Sequence, residues 1–220
     1  MKKMTLVAMA LFFTMASFAQ FSLGVQAIGN LGSANLKTAQ DVGFSKTMKF
    51  LPGAGVVAQY DLSEKFAIRS GINYVQYAVD MQTTLDEESS LKVKAENRLH
   101  YLQVPVNVIY SIPVGNVKLY AGAGGYIGYG IGGHSTQTTS YIMPDENEMV
   151  IVEKLKAFKK EADGGAGLKK FDAGASALAG IKLNNGVFAN VGYQLSLTNS
   201  AEGAGKYKNH GMQLSVGYFF

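Results

Sequence analysis

Three histidines are the residues of this 220-residue chain whose type most directly suggests chemistry. His100, His134 and His210 could each serve as a general base or as a metal ligand. No His-x-x-x-His spacing and no paired carboxylate accompanies any of them, although metal sites and acid–base pairs depend on such partners. The pattern therefore favours polar residues at the outer ends of strands, and no catalytic residue and no metal site are predicted.

Two glycine-rich segments, 122–125 and 128–133, invite comparison with phosphate-binding loops. No Lys-Ser or Lys-Thr pair follows them, and no helix is indicated that would aim amide groups at a phosphate. Glycines on the inner face of a narrow barrel instead leave room for larger side chains, and Tyr120 and Tyr126 are expected to lie over such gaps. The chain has no cysteine, so a thiol nucleophile and disulfides are excluded. No cofactor is predicted.

The elements that position these residues are strands, because apolar residues alternate with polar ones at period two. The last segment is typical, with Met212, Leu214, Val216, Tyr218 and Phe220 on one face. The predicted strands cover residues 20–29, 50–60, 66–81, 98–112, 117–132, 170–183, 187–198 and 212–220.

The connections between these strands alternate in length. Short turns are predicted at 61–65, 113–116 and 184–186, and long polar loops at 30–49, 82–97, 134–169 and 199–209. Short periplasmic turns and longer extracellular loops are typical of outer-membrane barrels. The sequence therefore predicts an all-β fold, an eight-stranded antiparallel up-and-down transmembrane β-barrel, in which the last strand pairs with residues 20–29 and closes the ring.

The two faces of the predicted strands differ as a membrane barrel requires. The outer faces carry almost no charge, whereas a soluble lipocalin-like barrel would be apolar inside and polar outside. Beyond Tyr74 the apolar phase switches to Val75 and Tyr77, which indicates a bulge or a strand that rises out of the membrane. The residues expected to line the lumen are Arg69, Asn73, Gln103, Asn107, Lys118, Asp172, Lys182 and Gln194.

The charged members of this set are expected to lie apart. Asp172 is near the outer end of its strand, whereas Arg69, Lys118 and Lys182 are near the periplasmic end, where Glu64 could reach a cation. Isolated charges in a lumen need partners or water. A polar constriction and a stabilising network are both compatible with the pattern, and the network is favoured because side chains normally fill eight-stranded barrels.

The N-terminus predicts the compartment. A basic start, an apolar run and small residues before position 20 predict a cleaved signal peptide at residues 1–19, and a single barrel domain at 20–220. Loss of Lys2 and Lys3 with this peptide lowers the formal charge from +4 to +2, which is too small to indicate nucleic acid as a partner.

The loop 134–169 contains the apolar segment 149–160. Val152, Leu155 and Phe158 could share one face of a short helix, or residues 149–152 could extend a strand above the membrane. Loops on rigid scaffolds often bind partners. The loop is therefore interpreted either as a site for envelope proteins or surface ligands or as a solvated surface loop.

The mature chain resembles the porin-family, PorT-like outer-membrane barrels of Gram-negative Bacteroidota. The resemblance is carried by YLQVPV at 101–106, KFDAG at 170–174, GYQLSLT at 192–198 and GYFF at 217–220. It implies a barrel in outer-membrane lipid, and it implies that the barrel-assembly machinery recognises Tyr218 and Phe220. It implies no reaction.

Three functions are therefore considered. The first is a non-enzymatic barrel that acts structurally, or through its extracellular loops in envelope or secretion interactions. The second is a narrow pore or passive transporter for small solutes, lined by glycine and serine and restricted by Arg69, Lys118 and Gln103. A surface enzyme is disfavoured because no site for it is found.

Overall fold

The computed structural model of the protein describes residues 20–37, 45–86, 91–142, 148–201 and 206–220. The predicted signal peptide therefore lies outside the described residues. In the described part of the chain, no helix is long and apolar enough to cross a membrane. The strands are β1 Phe21–Lys37, β2 Ser45–Asp61, β3 Phe66–Asp86, β4 Leu91–Val114, β5 Val117–Ile142, β6 Glu148–Lys156, β7 Phe171–Leu183, β8 Val187–Ser196 and β9 Lys206–Phe219.

All of these strands except β6 form a closed antiparallel ring. Each pairs with the next along the chain, β5 pairs with β7, and β9 returns to β1, where Gly24 faces Phe219 and Lys37 faces Lys206. A closed ring leaves no backbone edge exposed to hydrocarbon. The eight-stranded antiparallel barrel is therefore confirmed, and so is the closing pair.

The outer surface of the ring is apolar, as predicted. Val106, Ile127 and Leu214 each expose about half of their surface, at 51%, 54% and 55%. Residues between these outward positions are buried inside the ring, and many of them are polar, for example Asn107 and Ser215. This is the arrangement that a lipid bilayer requires and a soluble barrel does not.

The two ends of the ring differ. At the short-turn end lie the turns 62–65, 115–116 and 184–186 together with the C-terminus, and at the long-hairpin end the strands continue beyond the apolar surface. There β3 and β4 remain paired from Ala78 and Arg98 to Thr84 and Lys92, so the predicted loop 82–97 is wrong for the most part and is strand. The polar residues 82–90 read as loop, whereas Leu91, Val93 and Ala95 alternate with charged residues, a period-two signal that the prediction missed. Residues 38–44, 87–90, 143–147 and 202–205 of the predicted loops lie outside the described residues.

The predicted loop 134–169 also contains regular structure. β5 runs on to Ile142, and β6 returns beside it from Glu148 to Lys156. The helix alternative for this segment is wrong and the strand alternative is confirmed, since consecutive β-branched residues in segment 149–152 favour an extended chain. In the sheet, β5 is the strand that pairs along β6, and at its last residue β6 forms one further bridge, from Lys156 to Gly165.

The change of apolar phase near Tyr74 has a different cause from the predicted bulge in β3. Pairing of β3 with β4 runs through this region without a shift, and the irregularity lies between Met48 and Ala54 of β2. Val75 and Tyr77 remain on the inner face and are almost completely buried. The apolar residues thus fill the upper lumen.

Candidate functional site

Most of the side chains that were predicted to line the lumen are buried within the ring. Arg69, Asn73, Gln103, Asn107, Asp172 and Gln194 are buried, Lys182 is half-buried, and Lys118 is exposed at the short-turn end. They do not form one site. The interior instead contains a cationic cavity at the short-turn end, a polar middle layer, a buried carboxyl group and an apolar plug at the long-hairpin end.

The cationic cavity at the short-turn end has a volume of about 260 Å³. Arg69, Lys118 and Lys182 line it together with turn residues, including Glu64. The structure thus brings together the three cations that were expected at this end, and Asp172 is not among the lining residues.

Arg69 is held in the cavity wall by one side chain and several rings. Its Nε and Nη2 atoms donate to Oε1 of Gln59 at 3.0 and 2.7 Å, and Gln59 Nε2 donates to Asp61 at 2.7 Å. Its guanidinium carbon lies 4.3 Å from the ring centre of Tyr120 and 5.4 Å from that of Phe219. Contact with ring faces stabilises a cation where water is scarce.

The middle layer is a set of hydrogen bonds that cross the lumen. Gln103 Nε2 donates to the Tyr77 hydroxyl at 3.0 Å, and this hydroxyl donates to Oε1 of Gln194 at 3.0 Å. Asn107 accepts from Ser176 at 2.7 Å. A void of only about 50 Å³, room for a few water molecules, lies beside Asn107, Ser176 and Gln194.

Asp172 is the acceptor at the centre of a second polar cluster. It is fully buried and accepts from Ser196 at 2.5 Å, Thr198 at 2.9 Å, Tyr126 at 3.3 Å and Asn209 at 3.4 Å. All four donors are neutral, and they come from strands β5, β8 and β9 and from the segment after β8. The carboxyl group of Asp172, on β7, therefore links this strand to β5, β8 and β9.

An apolar plug closes the lumen at the long-hairpin end. Its buried members include Val75, Tyr77, Leu99 and Tyr101, and the segment that returns after β6 covers them. The residues of this plug are Ile28, Val75, Tyr77, Leu99, Tyr101, Ala157, Leu168 and Tyr207, with Phe158 and Ala201 packed against them.

The covering segment, residues 157–168, is called the cap segment here. The Ala157 amide donates to the Gly133 carbonyl at 3.1 Å, and the Phe158 ring lies edge-on to Tyr101 at 5.5 Å. A Cβ atom on Gly130 would meet that ring at 2.3 Å, so glycine is needed for the close approach. The cap segment is thus fitted into the barrel mouth.

Tyr120 and Tyr126 lie over inward glycines, but these glycines belong to β7 and not to the segments 122–125 and 128–133. A Cβ atom at Gly180 would lie 2.8 Å from the Tyr120 ring, and one at Gly174 would lie 2.7 Å from the Tyr126 ring. These glycines are the cross-strand partners of the two tyrosines. The tyrosines therefore lie flat over β7 and fill the lumen.

The histidines lie at the long-hairpin end. Nδ1 of His100 is 2.6 Å from the Tyr74 hydroxyl. Burial, followed by the nearby charges of Lys154 and Arg98, lowers the pKa of His134. Among the described residues, no three histidine, aspartate or glutamate side chains are close enough together to hold a metal ion.

The plug and the partner of Arg69 were not predicted from the sequence. The apolar phase at Val75 and Tyr77 was the available signal for the plug, since apolar residues on an otherwise polar inner face must pack against something. No local signal identifies Gln59 as the partner of Arg69, because only the β2–β3 register places them together.

Comparison with known proteins adds a family and several structural likenesses. A family model described as an outer membrane protein beta-barrel domain matches residues 18–202. No curated protein sequence matches the chain. OprG from Pseudomonas aeruginosa is 18% identical, with 91% of this chain and 95% of that chain covered and a TM-score of 0.46. Ail, the attachment invasion locus protein of Yersinia pestis, is 14% identical, with 91% and 98% covered and a TM-score of 0.39.

Proposed function

Because the chain belongs to the outer membrane protein beta-barrel domain family, we propose that it is a non-enzymatic barrel that acts structurally or through its long-hairpin end. Its location is the outer membrane, and its apolar surface lies in outer-membrane lipid. We place the short-turn end in the periplasm and the long-hairpin end outside the cell, following the general rule for such barrels.

The filled lumen is the observation that carries this proposal. Tyr77, Leu99 and Tyr101 are at most 1% exposed, and the cap segment packs on top of them. Nearer the short-turn end, Gln103 is completely buried, and its side-chain amide donates to the Tyr77 hydroxyl. Among the described residues, side chains are packed and hydrogen-bonded across the barrel, which disfavours the narrow-pore alternative.

The β5–β6 hairpin is the surface that the proposal assigns to contacts. Val150, Ile151 and Val152 are 50–62% exposed and lie on β6, which pairs with β5 on one side. Exposed apolar residues on an edge strand are a common interaction surface. We propose that envelope proteins or surface ligands contact the barrel here.

Planar-bilayer recording tests the closed lumen. The purified wild-type protein is expected to give no conductance steps above those of a protein-free bilayer. A Tyr77→Ala/Tyr101→Ala variant removes the two largest fully buried side chains and is expected to give small steps. Regular steps from the wild-type protein would favour the pore instead.

Crosslinking in intact cells tests the contact surface. A photo-reactive residue at Val152 is expected to give discrete protein adducts, whereas one at the exposed Ser63 in the short-turn end is not. Adducts of Val152 with lipid or a second copy alone, together with an intact envelope after deletion of the gene, would contradict an interaction role.

The C-terminal residues are proposed to direct assembly. Tyr218 and Phe220 point outward, their ring centres are 5.6 Å apart, and Phe220 is 77% exposed. We propose that the barrel-assembly machinery recognises these two rings. We also propose that the chain belongs to the PorT-like group. The family whose model matches the chain is broader than this group.

Replacement of Phe220 by aspartate is expected to lower the amount of folded barrel in outer membranes several-fold, since it places a charge at an apolar interface. Heat-modifiable mobility in gels measures folded barrel. Phe171→Asp is the matched control, because Phe171 is 54% exposed on the outer surface but does not lie in the last strand. An equal loss in both variants would indicate lipid contact alone, without a terminal signal.

A further inference from the structure

The cationic cavity at the short-turn end has more positive than negative charge. Lys65, Arg69, Lys118 and Lys182 line it, against two carboxylates, those of Asp61 and Glu64. Among the described residues, no ion pair within 4.0 Å joins these groups. The cavity therefore carries a formal excess of two positive charges.

Arg69 supplies a buried positive charge to the wall of this cavity. The side chain is only 6% exposed, and its Nη1 atom has no hydrogen-bond partner among the described residues. Guanidinium stays charged in proteins, and an unpaired donor of a buried charged group is costly. Gln59 accepts from Nε and Nη2, so the guanidinium is a fixed positive charge in the cavity wall.

Two of the three lysines of the cavity, Lys118 and Lys182, add further donors. Lys118 is exposed, and Lys182 Nζ lies 4.5 Å from the ring centre of Phe219. Flexible ammonium groups can turn toward a ligand beside the fixed guanidinium. The volume of about 260 Å³ leaves room for an oxyanion with a small substituent.

We propose that this cavity binds a phosphate group. The donors of Arg69, Lys118 and Lys182 would surround its oxygens, and the excess of two positive charges matches a phosphate dianion better than a single carboxylate. The phosphate could belong to a lipid headgroup at the membrane surface or to a free phosphate in solution, since both present the same oxygens.

Calorimetric titration of the whole barrel in maltoside micelles tests the proposal, with inorganic phosphate as one ligand and short-chain phosphatidylglycerol as the other. The wild-type barrel is expected to bind at least one of them. Arg69→Gln is expected to weaken binding about tenfold or more, as for loss of a charge-assisted hydrogen bond. Lys92→Gln, an exposed site at the long-hairpin end, is the control and is expected to change nothing.

The two ligands distinguish the source of the phosphate. Binding of phosphatidylglycerol alone would assign the site to a headgroup, and binding of inorganic phosphate would assign it to a free anion. A wild-type barrel that binds neither, or an Arg69→Gln barrel that binds as well as wild type, would overturn the proposal.

A second variant covers the case in which Arg69→Gln does not fold, as judged by heat-modifiable mobility. Lys118→Gln/Lys182→Gln leaves the buried guanidinium and its rings in place, so the barrel is expected to fold and to bind phosphate about tenfold more weakly. Undiminished binding by this folded variant would equally refute the proposed site.

Discussion

Replacement of Val216 by arginine is expected to lower the free energy of unfolding in lipid vesicles by about 2–4 kcal/mol, the cost of a cation on the lipid face near the midplane. Val216 is 52% exposed, on the outward face of β9 between Leu214 and Tyr218. Its cross-strand partners, Ala27 and Ala189, are small and offer the charge no acceptor. Unfolding in urea or guanidinium measures the change in free energy. It is monitored by circular dichroism, because the chain has no tryptophan to serve as a fluorescent probe.

The chain offers a matched control for this substitution. Val152 is equally apolar and 62% exposed, but it lies in β6, beyond the closed ring. Val152→Arg is expected to change the free energy of unfolding by less than about 0.5 kcal/mol, as surface substitutions usually do. Equal losses in the two variants would contradict the placement of the lipid-exposed band.

Asp172→Ala is the second substitution with a large expected effect. It removes the acceptor of three buried hydrogen bonds and of one partly buried hydrogen bond. Each buried donor left unpaired costs about 1–3 kcal/mol, so a loss of about 3 kcal/mol or more is expected. Asp172→Asn is expected to lose less, because one side-chain oxygen still accepts. Denaturant unfolding in vesicles again provides the measurement.

Asp163→Ala is the control for the loss of a carboxylate. Asp163 is exposed, in the short 3₁₀ turn Glu161–Asp163 of the cap segment. Its removal is expected to change stability by less than about 0.5 kcal/mol. If Asp172→Ala were as stable as Asp163→Ala, the cluster around Asp172 would contribute nothing to the barrel.

The ring could be predicted because each of its strands is constrained by two environments. Leu214 must face lipid and Gln213 must face the lumen. Because neighbouring residues face different environments, apolar and polar residues alternate along the strand. The strand extensions of β3 and β4 are rich in polar and charged residues and read as loop, although Leu91, Val93 and Ala95 alternate with charged residues there. The β5–β6 hairpin was ambiguous for another reason. A run of apolar residues has no single period, so it fits a helix and a strand equally well.

For the interior, the sequence could predict which face of a strand a residue lies on but not which residues it contacts. Alternation placed Arg69, Gln103 and Asp172 on inner faces, but contacts across a barrel depend on the stagger of strands far apart in sequence. Tyr77 and Gln194 illustrate this, since 117 positions separate the two partners of their hydrogen bond. The packing of the cap segment could not be predicted either. The Phe158 ring lies against Gly130 of β5, and nothing in the local sequence pairs these two residues.

Phe219 links the end of the chain to the interior. Its ring packs on Phe188 at 4.8 Å and lies beside the guanidinium of Arg69, while its amide donates to Gly186 at 2.9 Å. The wall around Arg69 is therefore incomplete until the last strand has been added. A barrel still held open during insertion would leave this cation accessible, so chemical protection of Arg69 would report the moment of closure.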